Sequence, residues 1–323
     1  PQFNSTGTET RRPSGSAPNM LQLSKKGEGV KVRRCFVPNK KLGHNLIVSI
    51  DWDAQELRVI AGLSQDENMK ACYIGDNLLD IHSKTASEIM RVDYETFIKR
   101  LKSDDDTISK KYKDARAYAK NTNFGSAYGI GKAKLARQIL RPEADAQQFL
   151  DAKKAAYPGV EDWKVDVKND LHAHGFVSTV FGSRKHLFNK LGSSEDGLVS
   201  YYDRASVNFK IQGACADYLK KVLADIHRKR IFQRNKAVLI APIYDELVMS
   251  CHDSNAVNLI KEVYAVMTQG MPGIDIPMLA SPSVGVNFAD QIEILDKAVD
   301  PLTDEKIQEA IDKALGRIKE EAA

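Results

Sequence analysis

The sequence predicts an α+β fold. Short apolar, β-prone runs at Leu46–Ile50, Ala237–Ile243 and Leu247–Ser250 lie toward the two ends, and helical periodicity fills much of the chain between them. No internal repeat competes with that reading. The 323 residues are 42% hydrophobic, enough for one large or two modest packed domains. Lys plus Arg number 47 against 43 Asp plus Glu, and a net charge of +4 implies no nucleic-acid partner by itself. No run of about 18 apolar residues is present and the N-terminus lacks an apolar signal core, so neither membrane insertion nor secretion is supported. Pro1 is permissive after removal of an initiator Met, and a processed chain would look the same. Cys35, Cys72, Cys215 and Cys251 are far apart, with no C-x-x-C pair and no nearby His at finger spacing, which argues against a zinc site and predicts reduced thiols in a cytoplasmic protein.

In chain order, residues 1–29 are rich in Ser, Thr, Gly, Pro and Asn and read as a loop or tail. Lys25, Lys26, Lys31, Arg33, Arg34, Lys40 and Lys41 form the most basic stretch, suited to phosphate contact or to a solvated face. The first strand ends at Asp51, which places a carboxylate to face a cleft, and Ala54–Leu63 then reads as a helix. Residues 64–101 read as helices and loops. Lys102–Lys113 is charged and solvent-facing. Leu135–Ala156 has helical spacing, broken by Tyr157-Pro158-Gly159-Val160. The two late apolar runs flank Tyr244-Asp245-Glu246, the pattern of a hairpin with acids at its tip. Near the end, Ile307, Ala310, Ile311, Ala314, Leu315 and Ile318 form an apolar stripe, expected to pack on this protein, although a docking helix for a partner would look alike.

The most informative helix is Arg116–Gly129. Arg116, Lys120, Phe124 and Tyr128 recur every fourth residue and share one stripe roughly 18 Å long. Cations hold a polyphosphate by charge-assisted hydrogen bonds and rings hold a flat base or sugar, so the order fits a helix laid along a nucleoside triphosphate. The alternative is a solvated basic end and a buried aromatic end. Gly125 and Gly129, each costing about 1 kcal/mol in a helix, point to a bend or to close approach of a ligand.

The spacing R-x3-K-x3-F-x3-Y-G, ending in N-F-G-x-x-Y-G, resembles the fingers helix of family A DNA polymerases. The resemblance extends over most of residues 6–292. Arg12 to Gln22 is similar to the opening T-G-R-x-S-S-x-x-P-N-L-Q, with Arg11 in place of the usual Gly, which implies a different local backbone; Arg33 to Phe36 follows as R-x-x-F. Asp51-Trp52-Asp53-Ala54-Gln55-Glu56-Leu57-Arg58 resembles motif A, D-Y-S-Q-I-E-L-R. Asp80 to Ala86 is similar to D-I-H-x-x-T-A, in which His82 is expected to pack rather than to bind metal. Phe176–Lys185 resembles the turn that returns the chain to the palm. Gln212 to Asp217 matches Q-G-T-A-A-D, following Arg204 and Asn208 at four-residue spacing. Tyr244-Asp245-Glu246-Leu247-Val248 resembles motif C, H-D-E-L-V, with Tyr for His, and Gly285 to Asp290 resembles G-x-N-W-x-E/D.

The resemblance implies a right-hand polymerase: a palm of antiparallel sheet and helices at 1–63 and 177–292, helical fingers inserted at 64–176, and a helical extension at 293–323. It implies template-directed addition of deoxynucleotides to a primer. Asp51, Asp245 and the Trp52 carbonyl would hold two Mg²⁺ ions, for which Mn²⁺ can substitute, with Glu246 as an accessory acid. Arg116 and Lys120 would bind the triphosphate, Phe124 and Tyr128 the nucleotide, and Glu56 would stand where a ribose 2′-hydroxyl would fit. Arg12, Arg204, Asn208, Gln212 and Tyr244 would contact primer-template DNA. The family's thumb and 3′-5′ exonuclease precede the matching stretch, so a split polymerase, phage-encoded for instance, or a fragment of a longer chain is expected, with a second polypeptide supplying the thumb. Two other readings are a single-subunit RNA polymerase or reverse transcriptase, and a non-catalytic primer-template binding subunit.

Overall fold

A computed structural model describes residues 2–24, 27–75, 78–187 and 196–317; Lys25, Lys26 and Ile318 lie outside them. The chain forms two compact units, one from residues 1–55, 215–271 and 278–323, the other from 56–214 and 272–277. The boundaries at 63 and 176 expected above rest on the resemblance; compactness groups 56–63 and 177–214 with the helical unit.

In chain order the strands are β1 (Gln2–Asn4), β2 (Ser14–Ser16), β3 (Leu46–Trp52), β4 (Phe176–Ser178), β5 (Arg184–His186), β6 (Val238–Ile243), β7 (Glu246–Cys251), β8 (Ala280–Gly285) and β9 (Gln291–Glu293). The helices are α1 (Glu28–Arg34), α2 (Gln55–Ser64), α3 (Glu67–Lys70), α4 (Ile81–Met90), α5 (Tyr94–Leu101), α6 (Asp106–Ala127), α7 (Lys132–Ile139), α8 (Glu143–Ala156), α9 (Pro158–His174), α10 (Asp196–Asn208), α11 (Ala214–Arg228), α12 (Ile231–Arg234), α13 (Asp253–Met267) and α14 (Asp304–Ala314).

The first unit is built on an antiparallel sheet of order β6-β7-β3-β8-β9. Its centre, β3, is buried from Leu46 through Ile50 because both faces of the sheet are covered. Alternation puts Leu46, Val48, Ile50 and Trp52 on one face with Leu247 and Met249. That face meets α13, whose Leu259, Ile260 and Val263 are fully buried. Ile47, Ser49 and Asp51 lie on the other, where Leu21, Ala241, Ile243, Val248 and Phe288 form an apolar cluster. Residues 2–24, which composition alone reads as tail, are thus tied down by Leu21 and by the β1–β2 ribbon. The late apolar stripe packs on its own unit. Ile307, Ala310 and Ile311 are buried, and α14 lies against α13, β8 and β9.

The second unit is helical. Asp66, Asp80, Asp93 and Asp105 each accept hydrogen bonds from backbone N–H groups at the starts of α3, α4, α5 and α6, satisfying donors no helix can satisfy internally. The helical spacing over 135–156 resolves into two helices. Leu140 turns left-handed (φ 54°) and Pro142 cannot continue the first. Between α10 and α11, Phe209–Gly213 is a π-helical turn, so Arg204, Asn208 and Gln212 do not follow one straight α-helical row.

Candidate active site

In the first unit, β3 delivers Asp51 to the end of the sheet. Asp51 pairs in register with Glu246 of β7 on one side and Ser281 of β8 on the other, so their side chains leave the same face. Glu246 is 5% exposed and Asp51 is half-buried. Both line a cavity of about 260 Å³ together with Arg33, Ser281 and Ser283. Arg33 is itself buried, its guanidinium 4.0 Å over the Phe288 ring and its Nε donating to the Leu23 carbonyl at 3.3 Å. Burial draws its pKa down, against the pull of Glu246 and then Asp51 in the opposite direction. The sequence reading placed Arg33 in a basic stretch and in the R-x-x-F match without giving it a role; Phe36 of that match packs edge-on to Phe288 at 6.4 Å.

Asp245 occupies the two-residue turn between β6 and β7, and its carbonyl accepts the Trp52 N–H at 3.1 Å. Tyr244, the other turn residue, is exposed and holds φ 57°, a conformation such hairpins usually give to Gly or Asn. Trp52 is pinned from behind: its indole N–H donates to the Met267 carbonyl at 2.9 Å and its ring lies 5.3 Å from Tyr218. Arg12 is half-buried in the same unit. Arg11 before it holds φ 61°, a left-handed conformation that glycine adopts most readily; Lys220 Nζ donates to its carbonyl at 2.8 Å and its Nε lies 3.5 Å from Asp217.

In the second unit, α6 carries the predicted stripe. Arg116 makes a bidentate pair with Asp80, Nε to Oδ2 at 2.7 Å and Nη2 to Oδ1 at 3.0 Å. Burial alone would raise the Asp80 carboxyl, but Arg116 and Ser83 hold it below its ordinary value. Lys120 is exposed and has no ion pair among the described residues. Phe124 is half-buried, 5.7 Å from the His82 ring, and His82 packs as expected, its Nδ1 3.2 Å from Asn123 Nδ2. Tyr128 ends the helix.

Both glycines answer to close intramolecular packing. A Cβ on Gly125 would lie 2.8 Å from Ile130 Cγ2, and Gly129 (φ 67°) abuts the Arg204 stem, where a Cβ would lie 2.7 Å from Cδ. Gly129 thereby brings Tyr128 and Arg204 to one cavity. Asn208 is half-buried, as is Gln212 within the π-turn, and Glu56 stands half-buried in the first turn of α2.

The donors at the sheet end are all oxygen: the Asp51, Asp245 and Glu246 carboxylates and the Trp52 carbonyl. Hard ligands of this kind fit Mg²⁺ or Mn²⁺. Among the described residues no cluster of three or more His, Cys, Asp or Glu side chains forms. One or two carboxylates, completed by phosphate and water, is how Mg²⁺ is usually held. Among the described residues no helix is long and apolar enough to cross a membrane.

The chain is similar to known proteins in both sequence and structure. The DNA polymerase I of Caldicellulosiruptor bescii is 29% identical over 287 residues, 88% of this chain and 31% of that protein. The DNA polymerase I of Bacillus subtilis is 30% identical over 290 residues, 90% of this chain and 31% of that protein. The chain therefore spans about a third of the length of these relatives. Among solved structures, the POL domain of Pol1 from M. smegmatis, in complex with DNA primer-template and dNTP, superposes with a TM-score of 0.76 at 25% identity, covering 89% of this chain and 47% of that one. The sequence model of DNA polymerase family A matches residues 1–290, from the β1–β2 ribbon through the hairpin that carries Asp245, and the chain belongs to that family.

Proposed function

We propose that the chain carries the catalytic palm and fingers of a DNA-directed DNA polymerase, adding deoxynucleotides to a primer 3′-hydroxyl. The observation that supports this best is the register of Asp51 with Glu246 beside the turn bearing Asp245, which joins two motifs nearly two hundred positions apart. The palm comprises residues 1–63 and 177–292 and the fingers 64–176, and residues 293–323 form an extension.

Asp51, Asp245 and the Trp52 carbonyl would hold two divalent cations, with Glu246 as an accessory acid. When bound, such ions lower the pKa of the primer hydroxyl and offset charge on the leaving pyrophosphate. The primer 3′-oxygen attacks the α-phosphorus in line as its proton passes to solvent, and the bond to pyrophosphate breaks. Lys120 binds the triphosphate and stands to protonate the leaving group. Arg116 reaches the triphosphate by exchanging Asp80 for a phosphate, a trade of one bidentate oxyanion for another. Phe124 packs on the sugar and base, and Glu56 fills the space of a 2′-hydroxyl. Arg12, Arg204, Asn208, Gln212 and Tyr244 contact the primer-template. The duplex is held further by a thumb supplied from a second polypeptide or from other residues of a longer one.

Primer extension at low salt tests this reading. With Mg²⁺ and dNTPs the chain extends a primer, and Asp245→Ala lowers the rate by at least about a thousandfold, since one of two metal-holding carboxylates is lost. Primer-template binding without any incorporation, even after adding a thumb-bearing partner, would overturn it.

A further inference from the structure

The five-stranded sheet gains its edge strand β9 just past residue 290, where the match to the family's sequence model ends. Register carries the face of Asp51 across to it. Asp51, Ser49 and Ile47 pair with Ser281, Ser283 and Gly285 of β8, and Ser283 and Gly285 pair in turn with Glu293 and Gln291. Residues opposite one another leave the same face, so Gln291 and Glu293 stand on the side of the sheet that bears Asp51 and Glu246. Both line the cavity of about 260 Å³ that holds those acids, Gln291 half-buried and Glu293 at the exposed rim. The segment that follows fixes them there. Ile294 and Leu295 are buried, the Ile294 N–H donates to the Pro282 carbonyl at 3.0 Å, and α14 lies against β8 and β9.

Charge and hydrogen bonding both point to what occupies this wall. Among the lining side chains the carboxylates of Asp51, Glu246 and Glu293 face a single cation, Arg33, an excess that attracts positive charge and repels phosphate. The Gln291 amide is paired at one end only: Ser283 Oγ donates to Oε1 at 3.4 Å, while Nε2 is buried with no partner among the described residues. Ser49, 2% exposed on the same face beside Ser283, also has a buried Oγ with no partner among them. Such atoms are costly to leave bare, and water satisfies them. Mg²⁺ keeps several of its waters when bound, and at about 30 Å³ each the cavity has room for the ion with them. Half a turn of the Gln291 amide lets Nε2 donate to Ser283 Oγ and presents Oε1 to the cavity as an acceptor. Metal-bound waters, which donate, select that orientation.

We propose that Gln291 and Glu293 are positioning residues that accept hydrogen bonds from water ligands of a divalent cation seated at Asp51. This deepens the polymerase reading and rests on its placing of a cation there. The test is binding of Mn²⁺ to the whole chain without DNA or nucleotide, followed as loss of the free-ion signal in electron paramagnetic resonance. Asp51→Asn is expected to abolish binding and so to tie the signal to this site. Glu293→Gln and Gln291→Met are each expected to raise the Kd by about tenfold, as loss of an outer partner of a metal site does. Gln291→Glu keeps the acceptor oxygen and is expected to bind at least as tightly as the wild type, which separates a lost hydrogen bond from a disturbed fold. Raising NaCl from about 0.1 to about 1 M shortens the screening length from about 10 to about 3 Å. The Glu293→Gln effect is expected to persist, because a contact through one water lies inside that length.

An unchanged Kd in Gln291→Met and Glu293→Gln, binding indifferent to Asp51→Asn, or no binding by the wild type overturns the proposal. Weaker binding by Gln291→Glu than by the wild type overturns it too, and would assign the amide to an anion. Loss of the Glu293→Gln effect at about 1 M NaCl would reduce Glu293 to a screened surface charge and overturn its part. Primer extension with the same Mg²⁺ dependence in the wild type and in both weakened variants would remove this inference alone. Mn²⁺ binding weakened as expected, but with no extension by the wild type, would remove only the catalytic reading.

Discussion

Lys153 lies inside the second unit, 5% exposed, with its ammonium 6.0 Å from the Tyr157 ring centroid. The charged groups around it are Lys164 and Glu161 of α9 and Asp66 ahead of α3. Burial first, then the like charge of Lys164, brings its pKa from 10.5 to about 7, which Glu161 and Asp66 only partly oppose. Between those two values the unfolded chain binds more protons than the native one, so this group makes stability rise with pH from about 7 to about 10.5 and leaves it flat and lowest below about 7. Lys153→Met removes the burden. Its melting temperature is expected to exceed the wild type's at pH 6–7, by the equivalent of a few kcal/mol, and the gap to close as pH approaches 10.5. Thermal melts across that range check it; a gap of constant size would mean that Lys153 is not the titrating group. In the sequence Lys153 looks like any helical lysine, because the elements that bury it come from other parts of the chain.

At the scale of elements, the most legible parts were those whose signal is local. The apolar run leading to Asp51, the hairpin around Tyr244-Asp245 and the R-x3-K-x3-F part of the row on α6 formed where spacing placed them, while Tyr128 falls just past the helix end as its cap. The π-turn at Phe209–Gly213 was not legible, because its setting is tertiary: a Cβ on Gly213 would lie 2.9 Å from Thr179 Cγ2. Nor did spacing decide between packing and docking for α14. The structure buries Ile307 completely against the chain's own sheet and helices, with Thr303 capping the helix and Lys261 paired to Asp304 at 2.7 Å. Ile307→Ala is therefore expected to destabilise the protein by about 2–5 kcal/mol, the range for emptying a closed core site. Ile108→Ala, at an exposed position of α6, is expected to cost less than about 1 kcal/mol and serves as the control. Denaturant melts compare the two, and equal effects would mean that α14 is a detachable arm.

For the whole molecule, the two units differ in how their contacts are spread along the chain. The second is drawn almost wholly from residues 56–214, and its main packing joins near neighbours: α4, α5 and α6, then α7 and α8. The first needs three separate segments, because β3 pairs with β7 and β8, each nearly two hundred or more positions later. That long return is what brings Asp51 beside Glu246, and it is why motif order could suggest the site but local propensity could not build it. Closing so long a loop must precede any of the contacts that reward it, so the sheet is expected to form late. In refolding from denaturant, pulsed hydrogen exchange should protect the amides of α4, α6 and α8 before those of β3 and β7. Catalytic competence, if the polymerase reading holds, should then return with the β3 amides and not with the helical ones. Simultaneous protection of both sets would mean that the sheet nucleates with the helices and that sequence separation does not set the order. Protection of β3 ahead of α6 would reverse the argument altogether.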